Sequence, residues 1–191
     1  DHEVAGYTRI RGGWNNGKAY TVYFYAETDR PFVQSLTWKG NRITEAQSQY
    51  DSAEKTGALL RFAKNDKVVQ LKVGISFLSM QKAKFNAHSE IPHWSFEKVH
   101  QDLLGQWEQL FQKIEIDPST PLAKKRMFYT GLYHALLGRG LASDVNGAYP
   151  RNDGSVGQIP LKDGKPVHNL YNTDAAWGAQ WNLTQVWALA Y

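Results

Sequence analysis

A chain of 191 residues with 42% hydrophobic content is long enough for one domain or a small pair, and too apolar for a disordered segment. It holds no cysteine, which excludes a disulfide framework and thiolate metal sites. Its net charge of +4 and pI near 9.2 would favour a nucleic-acid partner only if the charge were gathered in one patch. It is spread instead, and the densest basic run, Lys124-Lys125-Arg126, reads as a solvated helix face.

The strands come first. Asn15-Asn16-Gly17 is a turn signal ahead of a strand predicted over Tyr20–Glu27, which is rich in β-branched and aromatic residues. Pro31–Trp38 and Gly57–Phe62 follow in kind. In Lys67–Phe77, Val69, Leu71, Val73, Ile75 and Phe77 alternate with Gln70, Lys72 and Ser76, the period of a half-buried strand with its apolar set toward the core. Four strands joined by Asn, Asp and Gly turns predict antiparallel sheet, part of a sandwich.

Beyond these the period changes to that of a helix. Val99, Leu103, Trp107, Leu110 and Ile114 step by three and four, with Ser95 as N-cap and Glu97 in the first turn. A second helix opens with Thr120 as N-cap and Pro121 at its first position, and closes near Gly138 and Gly140. A third is predicted from Asp174 to Tyr191, apolar nearly all round, with Asp174 as its N-cap and Trp181 and Trp187 in a core. Strands followed by helices predict an α+β protein rather than alternating βαβ units. A helix as apolar as the third needs cover on several sides, so the chain is expected to be part of a longer polypeptide.

Residues able to do chemistry are sparse. Asp144-x-Asn146-Gly147-x-Tyr149 has the composition of a turn, and half that of a calcium loop without the later glutamate. Asp153 stands in the polar loop after it. His134, alone in an apolar helix, reads as a core residue. There is no Gly-x-Ser-x-Gly and no phosphate-cradling loop. No run of eighteen apolar residues marks a membrane span, and the opening DHEVAGYTRIRGG lacks the plan of a signal peptide, so a soluble chain without a targeting segment is expected.

Phe128 to Leu137, reading FYTGLYHALL, and Ser143 to Tyr149, reading SDVNGAY, together resemble the first barrel helix and following turn of glycoside hydrolase family 92, the calcium-dependent exo-acting α-mannosidases. Gly6-Tyr7, Gly13-Trp14, Val22–Ala26, Pro31-Phe32, Val73–Phe77, Ala83-Lys84, Ile91-Pro92, Trp94 and Trp107 fall in the same family's order. The resemblance implies an antiparallel β-sandwich portion over residues 1–90, a linker helix over 91–118 and the first helices of an (α/α)₆ barrel over 119–191. It implies an inverting hydrolase of mannose-terminated glycans, bacterial and extracytoplasmic, whose catalytic acid and base and most of whose calcium contacts lie downstream of this region. No catalytic or metal-binding residue is therefore assigned here. It also implies that Trp177 lines the pocket for the terminal sugar. Gly178 stands where the family has Asp, leaving Asp174, one turn earlier, to supply a carboxylate, with Asp153 near the barrel mouth. The other reading is a module that binds carbohydrate without hydrolysing it, or serves as structure. No nucleic acid is expected as a partner; the glycan and the remainder of the polypeptide are.

Overall fold

A computed structural model of the chain describes residues 2–11, 18–137, 140–172, 179 and 181–191. The chain divides into two compact units, residues 1–94 with 150–157, and residues 95–149 with 158–191. The fold is α+β, with antiparallel strand pairing.

The first unit begins with β1 (Glu3–Ile10) and β2 (Tyr20–Thr28), paired in register so that Gly6 faces Phe24 and Tyr7 faces Tyr23. A meander follows: β3 (Gln34–Lys39), β4 (Arg42–Thr44) and β5 (Thr56–Arg61), in the spatial order β4-β3-β5. The buried Thr37 at its centre shares a hydrogen bond with Thr44 and donates to the Ala46 carbonyl. β6 (Leu71–Ser76) then returns to pair with β2, giving the order β1-β2-β6. Four of these strands were expected; β1 and β4 were not.

The sequence predicts β6 correctly as a strand and assigns its faces wrongly. Lys72, Gly74 and Ser76 are the buried residues, while Leu71, Val73 and Ile75 are 59%, 48% and 54% exposed. The cause is a helix that no apolar stripe announces, α1 (Met80–Glu90), which packs on the face of Gly74. Its contact surface is made of Ala83 and Ala87, both fully covered, with Tyr25 of β2 between the helix and the sheet. A Cβ on Gly74 would stand 2.7 Å from the Ala87 Cβ, so the absence of a side chain is what lets the helix lie this close.

Polar bonds hold α1 where apolar area is scarce. Ser79 caps its start, accepting from the Lys82 N–H at 3.1 Å, and Asn86 Nδ2 donates to the Ile75 carbonyl at 2.9 Å. Lys84 forms an ion pair with Glu3 at 2.7 Å and the His88 ring a hydrogen bond with Glu27 at 2.9 Å, one polar tie to each of two strands. The helix stops at Glu90 because Ile91 precedes Pro92 and leaves the helical region. At the end of this unit the Lys72 ammonium lies 4.0 Å from the centre of the Trp94 ring, so the buried lysine is met by an aromatic face.

The second unit opens with α2 (Phe96–Phe111), capped by Ser95 as expected, its hydroxyl accepting from the Lys98 N–H at 3.2 Å. Next comes α3 (Leu122–Leu137), with Pro121 just ahead of it and the Pro121 carbonyl accepting from Lys124 and Lys125. Two aromatic contacts join α2 and α3: Trp107 to Tyr133, with ring centres 4.6 Å apart, and Phe111 to Tyr129 at 5.7 Å. Two short antiparallel pairs follow, β7 (Ala148–Pro150) with β8 (Val156–Gln158), then β9 (Leu161–Lys162) with β10 (Lys165–Pro166).

The chain closes with α4 (Leu183–Ala190). Its Trp187 donates to the Ala135 carbonyl at 3.3 Å and the terminal Tyr191 hydroxyl to the Leu110 carbonyl at 2.9 Å, tying α4 to α3 and α2. Two sequence expectations are corrected here. Within these 191 residues Trp181 is 77% exposed and joins no core, and His134 lies on the exposed side of α3 with its ring edge-on to Tyr133. α2 and α4 bury no residue fully and α3 buries only Leu132.

Candidate functional site

The segment after α3 carries the polar residues that the sequence singles out. It is built first as a backbone clasp. The Ala142 N–H donates to the Leu170 carbonyl at 2.8 Å, Asn172 N–H to the Gly140 carbonyl at 2.9 Å, and Leu141 bridges Tyr171. The buried Ser143 hydroxyl accepts from the Leu170 N–H at 3.1 Å, so the chain entering the turn is tied to the chain leaving the hairpins.

Asp144 to Ala148 then close on themselves. The Gly147 N–H donates to the Asp144 carbonyl at 2.7 Å and the Asp144 N–H to the Ala148 carbonyl at 2.8 Å. Gly147 has φ of +81°, and a Cβ there would sit 2.9 Å from both Gln158 Nε2 and Pro166 Cγ. Asn146 spends its side-chain oxygen on the Ala148 N–H at 3.3 Å and its carbonyl on Gln158 Nε2 at 2.8 Å. Asp144 itself is buried. The Asp-x-Asn-Gly motif is therefore a turn whose polar atoms serve the fold.

The cation that the family resemblance implies finds no set of ligands in this arrangement. Among the described residues no three His, Asp or Glu stand close enough to share an ion, and the Asn146 oxygen is already committed to the turn.

Asp153 sits at the exposed tip of the β7–β8 hairpin, in the part of the chain that belongs to the first unit. One carboxylate oxygen accepts from the Ser155 hydroxyl at 2.7 Å and the Ser155 N–H at 2.9 Å. These bonds hold its carboxyl below the usual carboxylate range. Asp153 is consequently ionised at neutral pH, an acceptor for hydroxyl groups and a poor proton donor. Trp177, Asp174 and Gly178 lie outside the described residues. Beside them, Ala179 is buried and Trp181 faces solvent.

With this geometry in hand, comparison with known proteins is informative. The sequence pattern described as the glycosyl hydrolase family 92 N-terminal domain matches residues 1–76, and that described as the glycosyl hydrolase family 92 catalytic domain matches residues 82–191. Comparison with curated proteins gives no match. Among solved structures, the family 92 glycosyl hydrolase ccman5 is 28% identical, with a TM-score of 0.78 over 92% of this chain. The family 92 inverting mannosidase BT2199 from Bacteroides thetaiotaomicron VPI-5482 is 22% identical, with a TM-score of 0.75 over 93%. The family 92 α-mannosidase BT3965 from Bacteroides thetaiotaomicron is 22% identical, with a TM-score of 0.71 over 94%.

Sheet followed by helices, matched along nearly its whole length by such chains, defines this as a segment of a glycosyl hydrolase. It belongs to glycosyl hydrolase family 92, and it spans 22% to 24% of the length of those solved relatives.

Proposed function

We propose that the full-length protein is an exo-acting α-mannosidase that removes terminal mannose from glycans with inversion, and that this chain supplies the start of its sugar pocket and none of its acid or base. The observation that carries the reading is the pair of family 92 patterns in order along one chain, N-terminal domain then catalytic domain. The solved relatives named as mannosidases favour the sugar, and the one named as inverting favours the stereochemistry.

An inverting glycosidase needs one protonated and one ionised carboxyl group roughly 6.5–9.5 Å apart, with a water molecule on the far side of the sugar. Asp153, held ionised by Ser155, is unsuited to the acid role. The role proposed for it is to accept a substrate hydroxyl. Trp177 is assigned as the ring against which the apolar face of the terminal sugar packs, and Asp174 as the nearest carboxylate to Gly178. Calcium would be held by residues of the remaining polypeptide. The proposed location is outside the cytoplasm, where such glycans are met. The domains are proposed to divide at residues 90 and 118.

The intact gene product, assayed on an aryl α-mannoside, should release mannose whose first-formed anomer is inverted, and exhaustive chelation of calcium should abolish the activity. Retention of configuration, or full activity after chelation, would falsify the mechanism. A protein that binds mannosides and never cleaves them would make it a binding module, the outcome that Gly178 in place of a pocket carboxylate favours.

A further inference from the structure

The face of the β1-β2-β6 sheet that carries α1 is only partly covered by it. At one end lie Tyr25, Gly74 and the Lys84–Glu3 and His88–Glu27 contacts to the helix. Toward the other end of the same face stands the cross-strand pair Tyr7 and Tyr23, followed by Arg9 and Thr21. The Tyr7 ring centre is 5.9 Å from that of Tyr23 and 6.3 Å from that of Tyr50, a residue of the segment between β4 and β5. Three tyrosines from three parts of the chain thus meet on one surface. Tyr7 is 52% exposed and Tyr50 69% exposed, so both present open ring area to solvent.

The backbone beside the outermost of these rings is held in place. Asp51, next to Tyr50, forms an ion pair with Lys39 of β3 and accepts from the Ala53 N–H at 2.7 Å and the Glu54 N–H at 2.8 Å. Lys39 and those N–H groups hold the Asp51 carboxyl far below its usual range, so the tie persists across ordinary pH. A ring carried on backbone that is fixed before its ligand arrives loses less entropy on binding than one on a mobile loop. Exposed aromatic area normally costs solubility, and a fixed, hydroxyl-bearing cluster of it with a polar rim marks a binding surface.

We infer that Tyr7, Tyr23 and Tyr50 form a carbohydrate-binding surface that takes a neutral glycan by packing its pyranose rings on the exposed faces of Tyr7 and Tyr50, with Arg9 and Thr21 available to its hydroxyl groups. Rings suit this ligand because the C–H face of a pyranose is apolar while its edge needs hydrogen-bond partners. An anionic polymer would demand several unpaired cations, whereas Lys39 is neutralised by Asp51. The choice of a glycan over a protein partner rests on the reading of the whole protein as a glycosidase.

The test is migration of the intact gene product through native gels containing soluble α-mannan, beside gels containing a β-glucan. The mannan should retard the wild type. Tyr50→Ala and Tyr7→Ala should each weaken that retardation about tenfold, the loss expected for one stacked ring. Tyr50→Trp should keep it, and thermal melting should show each variant folded. Equal retardation of a Tyr7→Ala/Tyr50→Ala double variant and the wild type overturns the surface. So does a Tyr50→Trp variant that binds no better than Tyr50→Ala. Tyrosine-dependent retardation without mannose release would uphold the surface and sink the hydrolase reading; mannose release with retardation that ignores the tyrosines would do the reverse.

Discussion

The contact of α1 with its sheet, in the first unit, and the pair α2 and α3, in the second, rely on glycine in opposite ways. In the first, Gly74 is the point at which α1 touches the sheet, and any side chain there meets Ala83 and Ala87. In the second, Gly105 of α2 and Gly131 of α3 have nothing within 4 Å of where a Cβ would stand. One unit has a small, close-fitting contact that tolerates no added atom. The other has helices joined by a few rings and hydrogen bonds, with room around them. The same residue type is a packing requirement in one place and a propensity defect in the other.

Substitutions in the intact protein, followed by thermal or denaturant unfolding, should sharpen that contrast. Gly74→Val should be the most damaging, costing about 3 kcal/mol or more as α1 is forced off the sheet; an unchanged midpoint would break the comparison. Gly147→Ala should cost about 1–2 kcal/mol, because a left-handed backbone and a crowded site coincide in the Asp144–Tyr149 turn. Ser79→Ala and Ser95→Ala each remove a helix cap and should each cost about 1 kcal/mol. Gly131→Ala should move the other way, stabilising by about 0.5–1 kcal/mol through helix propensity alone.

Tyr25 gives a test by pH. Burial, then the neighbouring Glu3 carboxylate, pushes its hydroxyl up to about 12 from an ordinary value of 10. The folded state therefore resists ionisation that the unfolded chain accepts, so its contribution is complete below pH 10 and is lost as pH rises toward 12. Alkaline unfolding profiles of the wild type should fall through that window, and those of Tyr25→Phe should fall less. Among the described residues no group meets the Tyr25 hydroxyl in good hydrogen-bond geometry, and Glu3 acts on it as a neighbouring charge, so the substitution should cost little at neutral pH.

What the sequence discloses, and what it hides, follows from the same physics. β2 and β6 are legible because their alternation and β-branched content are strong, and Ser95 is legible because capping is a local matter of one hydroxyl and one N–H. α1 is not legible: its buried residues are Ala83, Asn86 and Ala87, and small or polar residues leave no apolar stripe to read. Missing α1 is also what reverses the faces of β6, since the direction of burial belongs to the partner and not to the strand. The Asp144–Tyr149 turn is readable from Asn-Gly, and Asp153 as a loop carboxylate, though its bond to Ser155 is not. The tyrosine cluster escapes because Tyr50 lies far from Tyr7 in sequence and no local period joins them. Trp177, Asp174 and Gly178 rest on family resemblance alone.

The reversed faces of β6 mean that a mutational scan along this strand would return two unrelated rulebooks, interleaved one residue at a time. At Gly74 the governing variable is volume, and bulk is penalised whatever its polarity, while Lys72 and Ser76 must in addition keep the polar contacts they make, with the Trp94 ring and the Leu78 N–H. At Leu71, Val73 and Ile75 it is polarity, and in a preparation of these 191 residues a Thr or Lys at any of the three would raise solubility without unfolding the sheet.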